Sequence, residues 1–165
     1  MKPYVFNVAE ITDSCIKWIQ EWMQKNGNSD TKVVIGISGG KDSTVVAALC
    51  AKAIGKDRVL GVMMPNGVQP DISDSQKIVD FLQIPHLTVN INNAYTGLTE
   101  EIKTQMCLDT LSPQFLTNTP ARLRMTTLYG IGAILGNARV VNTCNRSEDV
   151  QGYSTHYGDS AGDFA

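Results

Sequence analysis

The chain has 165 residues, of which 42% are hydrophobic, and its 14 basic and 16 acidic side chains give a net charge of −2. This length predicts one globular domain whose core is large enough to fold without disulfides or a structural metal. The small acidic excess argues against a general nucleic-acid-binding protein, because such proteins neutralise phosphates with clustered Lys and Arg.

No stretch of the sequence approaches the roughly 20 apolar residues that a membrane-spanning helix needs. The first residues lack the apolar segment of a secretory signal. The four cysteines lie far apart and form no Cys-x-x-Cys pair, which is typical of reduced thiols and argues against a zinc or iron–sulfur site. We therefore expect a cytoplasmic protein with no membrane and no nucleic-acid partner.

Hydrophobic periodicity predicts helices and strands that alternate along the chain. The predicted helices cover residues 11–25, 42–54, 73–82, 94–106 and 117–135, and the predicted strands cover residues 32–38, 58–64, 86–91 and 139–143. Asn118 is the expected N-cap of the last helix, with Pro120 in its first turn. Residues 144–165 show no clear period, so no regular element is predicted there. Alternating strands and helices indicate an α/β fold with a doubly wound, mostly parallel sheet and helices on both faces.

The strongest chemical pattern follows the first predicted strand and opens the second predicted helix. It consists of Gly36, Ile37, Ser38, Gly39, Gly40, Lys41, Asp42 and Ser43. Glycines let a backbone approach an anion closely, and the free N–H groups at a helix start point toward that anion. The two serines add hydroxyl donors, Lys41 adds positive charge, and Asp42 beside a phosphate indicates an intervening Mg²⁺. The spacing matches neither GxxxxGK[ST] nor GxGxxG, and a tight turn without a ligand is the alternative.

A second polar run, residues 142–159, begins at the end of the last predicted strand and continues beyond it. Glu148 in this run lies just past the strand's carboxyl end, at the sheet edge where doubly wound folds bind ligands. Residues 36–43 follow their own strand at the same edge, so Asp42 and Glu148 could share one Mg²⁺ with a pyrophosphate. Taken alone, Glu148 is equally compatible with a solvated loop acid.

Residues 36–43 resemble the pyrophosphate loop of the N-type ATP pyrophosphatases, which split ATP between its α- and β-phosphates. Three further segments are similar to ammonia-dependent NAD synthetase and occur in the order of that family: residues 64–69 with Asp71 and Gln76, residues 121–129, and residues 142–159. The resemblance covers nearly the whole chain. It implies a Rossmann-like fold of the adenine nucleotide alpha hydrolase type.

The resemblance also implies a reaction and a set of site residues. ATP would activate the carboxylate of deamido-NAD as an adenylate and release pyrophosphate, and ammonia would then give NAD and AMP. ATP would lie on residues 36–43, Gln69 and Thr143, with Ser38, Asp42 and Ser43 as the catalytic residues. Mg²⁺ would lie on Asp42 and Glu148, and deamido-NAD on Arg122, His156 and Asp163. The same resemblance implies a homodimer.

The chain departs from this family at two positions. Met63 stands where many members have Arg in the loop after the second strand. His156 stands where Lys usually precedes Tyr-Gly-Asp, and an imidazole does not guarantee positive charge near pH 7.

The resemblance leads us to expect that residues 1–165 form a single ATP pyrophosphatase-type nucleotide-binding domain, truncated at its C-terminus. Two other functions stay open. One is an ATP-binding fragment or homologue without catalysis. The other is an ATP pyrophosphatase with a different acceptor, such as a GMP synthetase-like enzyme.

Overall fold

A computed structural model describes residues 6–165 of the chain. It contains six α-helices within that range, namely α1 Val8–Asn26, α2 Lys41–Ile54, α3 Ile72–Leu82, α4 Asn92–Met106, α5 Pro113–Leu135 and α6 Arg146–Gln151. The strands are β1 Lys32–Gly36, β2 Val59–Met63, β3 His86–Thr88 and β4 Ala138–Val140, and a 3₁₀ turn, Lys56–Arg58, precedes β2. No helix in the described part of the chain is both long and apolar enough to cross a bilayer.

The four strands form one parallel sheet in the order β3-β2-β1-β4. Val33 and Ile35 of β1 pack into one core cluster with α1, α2 and α3, while Val34 packs into a second cluster with α5. Both faces of the sheet are therefore covered, as a continuously apolar parallel strand requires. The predicted doubly wound α/β fold is confirmed.

The strand order fixes where a ligand can bind. The chain runs from β1 outward through β2 to β3, and then returns to the other side of β1 as β4. Open α/β sheets bind ligands at such a reversal, beyond the carboxyl ends of the strands. The segments after β1, β2 and β4 meet at this edge.

Two predictions about the second half of the chain are wrong. Helix α5 begins at Pro113 rather than residue 117, because Ser112 caps it by accepting a hydrogen bond from the Phe115 N–H at 3.2 Å. Asn118 is therefore not a cap, and Pro120 lies inside the helix. Helix α6 was not predicted, and it is held by a capping box in which Asn145 and Glu148 bond each other's backbone N–H groups.

The last described residues lie beside β4. Val141 and Phe164 form a parallel bridge, and the Asn142 N–H donates to the Phe164 carbonyl at 2.7 Å. The Asp163 N–H in turn donates to the Val140 carbonyl at 2.7 Å. These bonds satisfy backbone groups on the exposed edge of β4.

Candidate nucleotide site

The segment between β1 and α2 is a compact loop whose two serines hold it closed. The Ser38 N–H donates to the Ser43 hydroxyl at 3.3 Å, and the Gly40 N–H donates to the Ser38 hydroxyl at 3.2 Å. Ser43 is buried. Gly39 has φ of +85°, and a Cβ there would come within 3.2 Å of the Ser75 hydroxyl oxygen, so the loop requires glycine at this position.

Helix α2 starts with donors available for an anion. Its N-cap, Gly40, offers no side-chain hydrogen bond to the first turn. The first-turn N–H groups of a helix have no partner within the helix, and they attract phosphate or carboxylate groups. We call residues 36–43 the phosphate loop from here on.

Charge in the phosphate loop is concentrated on one ion pair. The Lys41 ammonium lies 2.8 Å from a carboxylate oxygen of Asp42. This hydrogen bond holds the pKa of Asp42 below its usual value, with a smaller contribution from the Asn145 side chain. Asp42 raises the pKa of Lys41, again mainly through the hydrogen bond, and Glu148 adds to this effect through its charge. The loop after β4 thus lies close to the phosphate loop, as the sequence predicts.

Glu148 is not a free loop acid. It lies in the first turn of α6, where one of its carboxylate oxygens accepts the Asn145 N–H at 2.9 Å. The structure therefore brings Asp42 and Glu148 to the same sheet edge, with Asn145 between them. Within residues 6–165, no group of three or more His, Cys, Asp or Glu side chains is arranged to hold a metal ion.

A cavity of about 340 Å³ opens next to the phosphate loop. Its volume is at the lower end of the range for small-molecule sites. Five of the predicted ATP-binding residues line it, namely Gly36, Ile37, Ser38, Gln69 and Thr143. The remaining loop residues, Gly39 to Ser43, lie outside the lining and continue from it into α2.

The three predicted deamido-NAD residues lie outside the cavity lining. The Arg122 Nε donates to the His156 carbonyl at 3.1 Å, so these two residues are together. The His156 ring lies 3.9 Å, centroid to centroid, from the ring of Tyr157. Asp163 is separate, since its carboxylate accepts the Val140 N–H at 2.7 Å and the Tyr129 hydroxyl at 3.3 Å.

Two residues of the similar segment after β2 differ from what the resemblance implies. Met63 is the last residue of β2 rather than part of the following loop, and it is buried against the core while also lining the cavity. Gln76 lies on α3, where its amide bonds Asp80 and His86 instead of facing the cavity.

Sequence reasoning missed Arg124 as a site residue. Its Nε donates to the Met64 carbonyl at 3.0 Å, and its side chain lines the cavity. Burial lowers the pKa of this guanidinium. Helical spacing could have identified this residue. Arg124 lies four residues before the buried Leu128 and next to the buried Met125, so it falls on the inner side of α5.

Comparison with known proteins gives one consistent match. A family model described as NAD synthase matches residues 11–165. The NH(3)-dependent NAD(+) synthetase of Pyrococcus horikoshii is 39% identical over 153 residues, which cover 93% of this chain and 56% of that protein. The protein of the same name from Pyrococcus furiosus is 37% identical over 159 residues, covering 96% of this chain and 57% of the relative. This chain thus spans little more than half the length of these curated relatives.

Solved structures give a similar result. The NH3-dependent NAD synthetase from Campylobacter jejuni has a TM-score of 0.84 and 32% identity, with 96% of this chain and 66% of that chain covered. The NMN synthetase from Francisella tularensis has a TM-score of 0.83 and 30% identity, with 97% and 64% covered. Each match includes nearly the full length of this chain.

Proposed function

Because this chain belongs to the NAD synthase family, we propose that it is an ammonia-dependent NAD synthetase that binds ATP at the phosphate loop and the adjoining cavity. The observation that carries the proposal is that the phosphate loop forms part of the cavity wall. Ser38 belongs to the loop and also lines the cavity. A nucleoside in the cavity would place its phosphates toward the start of α2. The cavity is largely apolar, with Met63, Met64 and Met125 on its walls, which suits a purine base.

The proposed reaction has two steps, formation of an adenylate and its conversion to an amide. A carboxylate oxygen of deamido-NAD attacks the α-phosphorus of ATP, the bond to the bridging oxygen breaks, and pyrophosphate leaves. Ammonia then attacks the activated carbonyl carbon, loses a proton, and expels AMP to give NAD. No side-chain nucleophile is needed, and the chain's contribution is to fix the two reactants and to stabilise developing negative charge.

The phosphate loop supplies that stabilisation through Ser38, Ser43, Lys41 and the N–H groups of α2. Asp42 and Glu148 would hold Mg²⁺. Oxygen donors of this kind fit the ion, because Mg²⁺ is usually held by one or two carboxylates together with substrate phosphates and water. When bound, the ion would neutralise charge on the departing pyrophosphate.

Arg122, His156 and Asp163 are the proposed contacts for deamido-NAD. Arg122 is exposed on α5 and donates to the His156 carbonyl, so these two residues lie together at the surface, which supports this role. Asp163 would act differently, because its carboxylate already accepts two hydrogen bonds.

We also propose that the protein is a cytoplasmic homodimer. Helix α5 carries exposed apolar side chains in the monomer, namely Leu116, Tyr129, Ile134 and Leu135. Large exposed apolar side chains are found at protein interfaces, where a partner covers them. Sedimentation of an Ile134→Glu variant, whose side chain is 87% exposed, tests this point: a monomer is expected, and an unchanged dimer would place the interface elsewhere.

The direct test supplies purified protein with ATP, Mg²⁺, ammonium and one acceptor at a time, and measures product, AMP and pyrophosphate. We expect NAD from deamido-NAD, with AMP and pyrophosphate in equal amounts. Nicotinate mononucleotide and xanthosine monophosphate are the comparison acceptors, because NMN synthetase is similar in structure and a GMP synthetase-like enzyme is an open alternative. Binding of ATP without release of pyrophosphate with any acceptor would favour a non-catalytic nucleotide-binding protein instead.

A further inference from the structure

Arg124 is a half-buried cation without a compensating charge. Four ion pairs occur among the described residues, and Arg124 belongs to none of them. Its one hydrogen bond uses Nε and the Met64 carbonyl, which leaves the four N–H donors of the two terminal nitrogens without a partner in residues 6–165. Partial burial of a charge is unfavourable unless another group compensates it.

The surroundings of Arg124 favour an anion from outside the chain. Of the residues lining the cavity, Arg124 is the one cation and Asp159 the one acid. One oxygen of the Asp159 carboxylate accepts the Thr155 N–H at 2.6 Å, and Asp159 forms no ion pair with Arg124. One wall of the cavity therefore carries the unpaired positive charge of Arg124, which a bound anion would compensate. Ser38 of the phosphate loop lines the same cavity.

We propose that Arg124 binds the negative charge of the AMP moiety, the part that ATP, the adenylate and AMP have in common. The inference rests on the proposed function for the identity of the ligand. The guanidinium is oriented for this purpose by its Nε bond to the Met64 carbonyl, which fixes the plane of the group. Arg124 then selects a nucleotide over its uncharged nucleoside, and it does so from α5 rather than from the phosphate loop.

A purely structural role is the competing explanation, because the same Nε bond joins α5 to the end of β2. The two explanations differ in their dependence on ligand charge. Loss of a structural bond would weaken AMP and adenosine binding alike. Loss of a charge contact would weaken AMP binding alone.

The test compares AMP and adenosine binding by titration calorimetry, for the original protein and for Arg124→Gln. We expect AMP affinity to fall by about tenfold or more, as for loss of a charge-assisted hydrogen bond, and adenosine affinity to change less than about threefold. Arg58→Gln is the matched control, since Arg58 also donates through Nε to a carbonyl, that of Thr31, at the opposite end of β2. The control is expected to retain the preference for AMP.

Arg124→Lys keeps the test decisive if Arg124→Gln folds poorly. Lysine retains the charge but not the planar Nε donor, so the proposal expects a preference for AMP over adenosine to remain. An unchanged preference for AMP in Arg124→Gln, or loss of that preference in Arg124→Lys, would overturn the inference. Formation of NAD is assayed separately. An Arg124-dependent preference for AMP in a protein that makes no NAD would support the inference and count against the proposed function.

Discussion

The indole ring of Trp22 stacks on the ring of Phe164, with centroids 4.5 Å apart and planes inclined by 28°. This contact joins α1 to the segment that pairs with β4, although 142 positions separate the two residues in the chain. Phe164 is buried, and its carbonyl accepts the Asn142 N–H at 2.7 Å. The neighbouring Asp163 is held beside β4 by the same arrangement. The stack therefore holds the last described residues against α1 and beside β4.

Phe164→Ala is expected to lower the free energy of unfolding by about 3 kcal/mol, because it removes a buried aromatic ring and leaves a cavity. Urea unfolding followed by tryptophan fluorescence measures this directly, since Trp18 and Trp22 both lie against the ring. Phe81→Ala is the control, because that ring is 84% exposed. Equal stability losses in the two variants would show that the stack contributes nothing specific.

Gly39→Ala is expected to weaken ATP binding without unfolding the protein. An alanine at φ of +85° moves the free loop out of its binding conformation, and returning to that conformation on binding costs about 1–2 kcal/mol, which corresponds to about 5- to 30-fold in affinity. Gly130→Ala is the matched control, since a Cβ there meets nothing within 4 Å. Alanine inside α5 should stabilise the helix by about 1 kcal/mol and leave ATP binding unchanged. Equal ATP affinity in both variants would argue against binding of ATP by the phosphate loop in this conformation.

The sequence predicts β1 and β2 well because these central strands are covered on both faces. Residues 32–38 form a nearly continuous apolar run without polar alternation, which predicts a strand buried on both faces. In the structure this strand is covered by α1 on one face and by α5 on the other. The phosphate loop is equally local, since a strand, two glycines and a helix start are consecutive in the chain. Its position and conformation therefore follow from neighbouring residues.

Features that depend on distant partners could not be predicted in this way. The start of helix α5 at Pro113 is an exception, because the neighbouring Ser112 caps it and Ser followed by Pro is a local start pattern. Asn118 depends on a distant partner, since it accepts a hydrogen bond from the Thr155 hydroxyl at 3.1 Å. The spacing of Arg124 places it on the inner side of α5, but only the fold brings it to the Met64 carbonyl, 60 positions away. Helix α6 is too short to show a hydrophobic period, and its capping box was the one local pattern available.

Cys50 is expected to resist alkylation in the folded protein at pH 9. Burial raises the pKa of its thiol to about 12, so the reactive thiolate does not form at that pH. The exposed Cys107 should react under the same conditions. Iodoacetamide labelling followed by peptide mass spectrometry measures both sites, and unfolding in urea should make them equally reactive. Rapid labelling of Cys50 in the native state would contradict its burial.

The raised pKa of Cys50 also gives a pH dependence of stability. The folded state keeps the thiol protonated while the unfolded state loses the proton near pH 9, so stability should fall as pH rises from about 9 toward 12. Cys50→Ala should remove this component of the decline. Unfolding midpoints of the two proteins measured across that range provide the comparison, and parallel curves would contradict the expectation.

Asp42→Asn and Glu148→Gln are each expected to reduce the effect of Mg²⁺ on ATP binding. Both changes remove a carboxylate proposed to hold the ion while keeping the side-chain shape. Calorimetric ATP titrations with and without Mg²⁺ measure the difference, with Glu101→Gln on the exposed face of α4 as control. A Mg²⁺ effect of unchanged size in both variants would rule out the proposed ligands.

The most direct measurement of the central claim follows nitrogen from ammonia into product. Purified protein is incubated with ATP, Mg²⁺, deamido-NAD and ¹⁵N-labelled ammonium, and the nicotinamide dinucleotide is analysed by mass spectrometry. The account predicts NAD with one ¹⁵N in its carboxamide, formed together with AMP and pyrophosphate, and loss of this product in Asp42→Asn. Unlabelled deamido-NAD recovered intact, while ATP binds normally to the phosphate loop and cavity, would contradict it.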